Sequence, residues 1–97
     1  MNTPAEAQRL SAQISGRVQG VGFRYFTRTT AQQLGVVGWV RNEPDGTVRL
    51  EAEGREEALN TLLDAVHDGP PSARVEEVDV TWGAAQGEFD HFEVAYT

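Results

Sequence analysis

Cysteine is absent from this 97-residue chain. That excludes a disulfide framework, a thiol nucleophile and a cysteine-ligated metal. Lysine is absent too, so all eight basic residues are arginine; genomic base composition can produce this bias, and no function is read from it. No apolar run is long enough to span a bilayer. The opening MNTPAEAQ has neither the basic nor the apolar region of a secretory leader, so the expected location is the cytoplasm. Histidine occurs only as His67 and His91, which do not make a metal constellation. His67 reads as a helix-end residue and His91 as a strand-edge residue.

What is present suits one domain. At 39% hydrophobic residues the chain can fill a modest core. The net charge of −7 is uneven: residues 1–42 carry +4 and residues 43–97 carry −11. An acidic body is a poor general binder of nucleic acid. A local cluster of arginines on such a body suits a small anion better than a long polyanion.

Residues 1–8 are small and polar and read as a flexible tail, with a single domain over residues 9–97. Leu10, Ala12, Ile14 and Val18 alternate with polar residues, the pattern of a half-buried strand. Phe23, Phe26, Ala31 and Leu34 recur at near-helical spacing, and Gly35 stops the helix. Val36–Asn42 has strand composition. Glu43-Pro44-Asp45-Gly46 is a turn, and Thr47–Glu53 alternates with Val48, Leu50 and Ala52 inward, completing a hairpin. Leu59, Leu62, Leu63 and Val66 make the apolar face of a second helix, ended by Gly69-Pro70-Pro71. Val75–Trp82 reads as a strand with Val78, Val80 and Trp82 inward, residues 83–90 as a polar loop, and His91–Tyr96 as a last strand with Phe92, Val94 and Tyr96 inward. The order β-α-β-β-α-β plus a short terminal strand predicts an α+β, ferredoxin-like split β-α-β sandwich, with two helices on one face of a mainly antiparallel sheet.

The stretch around which this pattern is organised is Gly16–Phe26, GRVQGVGFRYF. Three glycines lie between an alternating strand and a helix start. Such a turn exposes backbone N–H groups that have no intrahelical partner, at the positive end of the helix dipole. Arg24 falls in the first helical turn, where a cation opposes the dipole by about 0.3–1 kcal/mol. An anion bound in the turn reverses that sign. The topology also brings Asn42, at the end of the second strand, to the same sheet edge, because a helix returns the chain between two strands that run the same way.

Two motifs carry a family resemblance. Gly16-Arg17-Val18-Gln19-Gly20-Val21-Gly22-Phe23-Arg24 fits the pattern G-x-V-Q-G-V-x-F-R. Gly38-Trp39-Val40-Arg41-Asn42, with Gly46 and Val48, fits G-W-V-x-N-x-x-x-G-x-V. In these, and in the Leu34–Val37 link, the chain resembles the acylphosphatase family from about residue 10 to its end. The resemblance implies metal-independent hydrolysis of an acyl phosphate to a carboxylate and inorganic phosphate, with no cofactor. It implies that the phosphate is held by Arg24 and by backbone N–H groups of Gln19, Gly20, Val21, Gly22 and Phe23, and that Asn42 positions the attacking water.

The residues suit that chemistry. An acyl phosphate is an activated anhydride, so binding, charge stabilisation and alignment of a water suffice. Arg24 offers a bidentate fork that lysine cannot copy, and a neutral asparagine orients water rather than deprotonating it. Arg17, Arg28 and Arg41 read as surface charges that raise the local potential, Asp45 and Asp90 as turn residues, and Trp39 as sheet packing. The expected partners are a small-molecule acyl phosphate and inorganic phosphate or a similar anion, with neither nucleic acid nor membrane, on a monomeric chain. Two alternatives stand beside this. One is a non-catalytic ferredoxin-like binding module, for which no aromatic-rich RNA motif is present. The other is an acylphosphatase-like domain acting on carbamoyl phosphate, as in hydrogenase-maturation proteins.

Overall fold

A computed structural model describes residues 7–96. Five strands and two helices follow in the order β1 (Ala7–Arg17), α1 (Phe23–Leu34), β2 (Val37–Asn42), β3 (Val48–Arg55), α2 (Glu56–Asp68), β4 (Arg74–Ala84) and β5 (Phe92–Val94). Of the expected tail, residues 1–6 lie outside the described residues, while Ala7 and Gln8 already pair with Arg55 and Gly54 of β3.

The sheet order is β4-β1-β3-β2-β5. Pairing is antiparallel except for β2 with β5. β1, β2 and β5 therefore run one way and β3 and β4 the other. One sheet edge accordingly gathers the end of β1, the end of β2, the end of β5 and the start of β3. A bulge at Ser15/Gly16 bends β1 just before it reaches that edge.

The apolar stripes expected from alternation meet in one core. Leu10, Ala12 and Ile14 of β1, Val48, Leu50 and Ala52 of β3 and Val40 of β2 are buried against Phe23 and Ala31 of α1 and Leu59, Leu62 and Val66 of α2. Thr27 is fully buried among them, a position that its hydroxyl obscures in the sequence. The hydroxyl donates to the Phe23 carbonyl one turn back (2.9 Å), which removes the cost of burying it. Gly38 has a packing role: a Cβ there would lie 2.0 Å from the Glu51 carbonyl oxygen, so only glycine lets β2 and β3 approach.

Two inward assignments fail. Trp82 remains 40% exposed. It lies across from Leu10 on β4, an edge strand with nothing beyond it to close the flank. Tyr96 is 72% exposed, because β5 ends at Val94 and the chain leaves the sheet before reaching it.

The open face of the sheet is not simply solvated either. Glu51 and Glu53 of β3 point away from the helices, yet each is only 4% exposed. Glu51 is covered by bonds from Ser11, Arg9 and Arg49, and the segment after β4 folds back onto Glu53. Glu53 accepts the N–H groups of Gln86 (2.9 Å) and Gly87 (3.1 Å). Arg9 pairs with Glu51 (3.1 Å), Glu53 (3.1 Å) and Glu88 (2.8 Å), and its guanidinium lies 4.9 Å from the centroid of the Phe89 ring.

Candidate active site

The glycine turn leaves β1 at Val18 and enters α1 at Phe23. Gly20 (φ 73°) and Gly22 (φ 80°) both adopt the left-handed conformation. A Cβ on either would touch nothing within 4 Å, so backbone conformation rather than crowding requires glycine here. Val21 between them does not have positive φ, and a change of hand between neighbouring residues can turn successive N–H groups to the same side.

Those groups are uncommitted. Gly22 is the N-cap residue of α1, no side chain caps the helix, and its first turn contains no acidic residue. The first helical hydrogen bond runs from the Phe26 N–H to the Gly22 carbonyl (3.0 Å). The N–H groups ahead of it, from Gly20 to Tyr25, make no turn or cap hydrogen bond among the described residues. Phe23 is buried in the core and fixes where the helix begins, whereas Gly20 and Gly22 are exposed.

Arg24 follows, half-exposed in the first turn. No carboxylate of the described residues pairs with it. Its guanidinium instead lies 5.3 Å from the ring centroid of Tyr96, the residue expected in the core. Arg28, one turn on, stacks against Tyr25 (4.9 Å). Arg41 is not a free surface charge: it is paired with Glu43 at 2.6 Å and lies over Trp39 at 4.6 Å.

Asn42 ends β2 opposite Val48, and Val48 in turn faces Ile14 of β1. Residues paired in this way share a sheet face, so Asn42 is on the face that carries the helices. Two strand spacings separate it from β1, about 9.5 Å. Its side-chain Oδ1 is buried and has no hydrogen-bond partner among the described residues. An acceptor in that condition costs about 1–3 kcal/mol, and functional sites are where such costs are retained.

Among the sequence-designated residues, Gly20–Arg24 thus form one continuous turn, with Asn42 at the same sheet edge across β3. Gln19 belongs to the turn through its main chain only. Its side chain reaches over the end of β3 to the hairpin turn after Asn42, a link with no local sequence signal. A hollow of about 130 Å³ lies elsewhere, on the open sheet face beside Ser11, Gln13, Arg49 and Asp79. Ser11 and Arg49 there are bonded to Glu51 and Gln13 to Thr47, so those groups are committed to the fold. Among the described residues, no group of three or more His, Asp or Glu side chains is placed to hold a metal ion, and no helix is long and apolar enough to cross a membrane.

The architecture defines the class: a ferredoxin-like α+β sandwich of two helices on a five-stranded sheet. The crystal structure of the acylphosphatase from Bacillus subtilis superposes with a TM-score of 0.89 at 38% identity, covering 92% of this chain and 99% of that one. A protein named acylphosphatase from Salinibacter ruber is 61% identical over 94 residues, which are 97% of this chain and 98% of that one. The family model described as Acylphosphatase matches residues 10–94. This chain belongs to the acylphosphatase family. A full-length HypF, solved in its phosphate- and nucleotide-bound form, also contains the fold (TM-score 0.83, 26% identity), but the match covers 98% of this chain and only 12% of that one.

Proposed function

We infer that this chain hydrolyses acyl phosphates to a carboxylate and inorganic phosphate, with the phosphoryl group held at the β1–α1 turn. The observation that carries the placement is a set of polar groups at one sheet edge without a hydrogen-bond or carboxylate partner among the described residues: the N–H groups from Gly20 to Tyr25, the Arg24 guanidinium and Asn42 Oδ1.

In this reading the turn amides and the fork of Arg24 take the phosphoryl oxygens, where fixed donors stabilise developing charge with little reorganisation. The Asn42 amide orients a water toward phosphorus. The new bond is water oxygen to phosphorus, the bond that breaks is phosphorus to acyl oxygen, and the carboxylate leaves with the electron pair. Asn42 cannot take the proton, and the carboxylate next to it, Glu43, is tied to Arg41. A phosphate oxygen of the substrate is the acceptor at hand.

All these groups come from one chain, which supports a monomer as the working unit, and inorganic phosphate should compete for the same turn. A cytoplasmic setting fits this reading. Matches to named acylphosphatases over nearly the whole of both chains, against 12% of the HypF chain, favour a general acyl phosphate substrate over carbamoyl phosphate. The test is phosphate release from benzoyl phosphate in excess chelator, run beside carbamoyl phosphate. Turnover of benzoyl phosphate unaffected by chelator, with inorganic phosphate inhibiting competitively, is expected. No turnover, or turnover abolished by chelator, overturns the reading.

A further inference from the structure

Gln19 stands at the first position of the turn, yet its side chain does not join the open amides. Its Nε2 donates to the Glu43 carbonyl (2.9 Å) and to the Thr47 carbonyl (2.9 Å). Each of these carbonyls already accepts one bond inside the hairpin turn: Thr47 O from the Glu43 N–H (2.8 Å), and Glu43 O from the Gly46 N–H (3.1 Å). A carbonyl oxygen has two lone pairs, so Gln19 fills the second on both, and both hydrogens of its amide are used. Among the described residues no backbone hydrogen bond joins residues 19–22 to residues 43–47. The turn's other side-chain tie to β1, from Gln13 to the Thr47 hydroxyl (3.0 Å), comes from the open sheet face.

We propose that Gln19 is a positioning residue: its side-chain amide couples the turn that takes the phosphoryl group to the hairpin turn that begins right after Asn42, and so sets the separation between phosphorus and water. This rests on the reading of the turn and of Asn42 given above. The separation needs a device, because β3 lies between the two elements and each ends in a loop. A misplacement of about 1 Å between reacting groups can cost about 10²-fold in rate. Glutamine is the residue that fits: leucine has no donor, glutamate presents acceptors to two carbonyls, and asparagine is one methylene shorter.

The test is a cycle of Gln19→Leu, Asn42→Ala and the double variant, with kcat and the inhibition constant of inorganic phosphate measured for each, and thermal midpoints to establish folding. Asn42→Ala should lower kcat by about 10²–10³-fold while phosphate still inhibits. Gln19→Leu should lower kcat by about 10–10²-fold with phosphate inhibition nearly unchanged. The double variant should be no slower than Asn42→Ala by more than about threefold, because Gln19 then has nothing left to position. Multiplicative losses, a normal kcat in Gln19→Leu, or phosphate affinity falling in step with kcat overturns the positioning role. A normal kcat in Asn42→Ala identifies a different failure, that of the underlying reading of Asn42. Gln19→Glu supplies an independent readout if the leucine variant folds poorly. Facing two carbonyl oxygens, its carboxylate should be inactive at neutral pH and regain kcat relative to the parent as it protonates and can donate. A pH profile parallel to the parent's counts against the proposal.

Discussion

Arg9 and Arg24 flank the same strand–turn–helix unit and are used in opposite ways. Arg9, on the open face of β1, is bonded to Glu51, Glu53 and Glu88 and covered by Phe89. Arg24, at the helix start, has no carboxylate among the described residues and leans on an exposed tyrosine. The same contrast extends to the groups around them. Near Arg9, each buried carboxylate is bonded by three residues; near Arg24, a run of main-chain donors and an asparagine oxygen have no partner among the described residues. The fold completes its own hydrogen bonds where they hold the sheet and the loop after β4 together, and leaves them open at one edge. At that edge the one carboxylate next to Asn42, Glu43, is tied to Arg41, and Arg24 has an aromatic neighbour instead of a carboxylate among the described residues.

The comparison breaks first at Arg24. Arg24→Lys keeps the charge but loses the two-pronged fork, so kcat/KM for benzoyl phosphate should fall by about 10³-fold, while the thermal midpoint stays within a few degrees of the parent. Near-normal hydrolysis would show that Arg24 is only a surface cation. At the other pole, Glu53→Ala should do the reverse. It leaves the Gln86 and Gly87 N–H groups and part of Arg9 without an acceptor under the covering loop, which should cost about 3 kcal/mol, or roughly 10–20 °C in thermal midpoint. Because Glu53 lies five residues along β3 from Val48, about 17 Å from the sheet edge that holds Asn42, kcat at 25 °C should hardly change. Loss of activity without loss of stability would dissolve the division between the two regions.

How much of this was legible depends on how local the signal was. Gly20, Gly22 and Arg24 fall within five residues and the backbone demands of the two glycines are written in residue type, so the left-handed turn ahead of α1 reads directly. The helical and strand stripes, from Leu10 to Val66, read from periodicity because burial on the helix face follows alternation. Glu51 and Glu53 fell on the expected face, but their partners are distant: Arg9 and Ser11 of β1 for Glu51, and a loop more than 30 positions away for Glu53. Trp82 and Tyr96 alternate correctly and stay exposed, because alternation assigns a face and not a neighbour. Gln19 had a legible main chain and an illegible side chain: its partners are 24 and 28 positions off, and only the β1-β3-β2 order brings them within reach.

The smallest effect sharpens the comparison through pH. Burial pushes the Glu51 carboxyl up, but hydrogen bonds from Ser11, Arg49 and Arg9 together outweigh it and hold the group below its ordinary value. Glu53 follows the same balance, with burial opposed by the Gln86 and Gly87 amides and by Arg9. A carboxyl whose folded pKa is depressed adds stability above its unfolded pKa, about 4.3, and that stability disappears as pH falls through the folded value. Urea midpoints should therefore be level from pH 7 to about 5.5 and then decline. In Glu51→Gln/Glu53→Gln the midpoint should start lower at pH 7 and decline less, so that the two curves converge in acid. The β1–α1 turn contributes no carboxylate to this balance, so Arg24→Lys should track the parent throughout. Curves that remain parallel would mean that the buried pair is not what acid undoes, and that the loop clamp and the β1–α1 turn differ in position only.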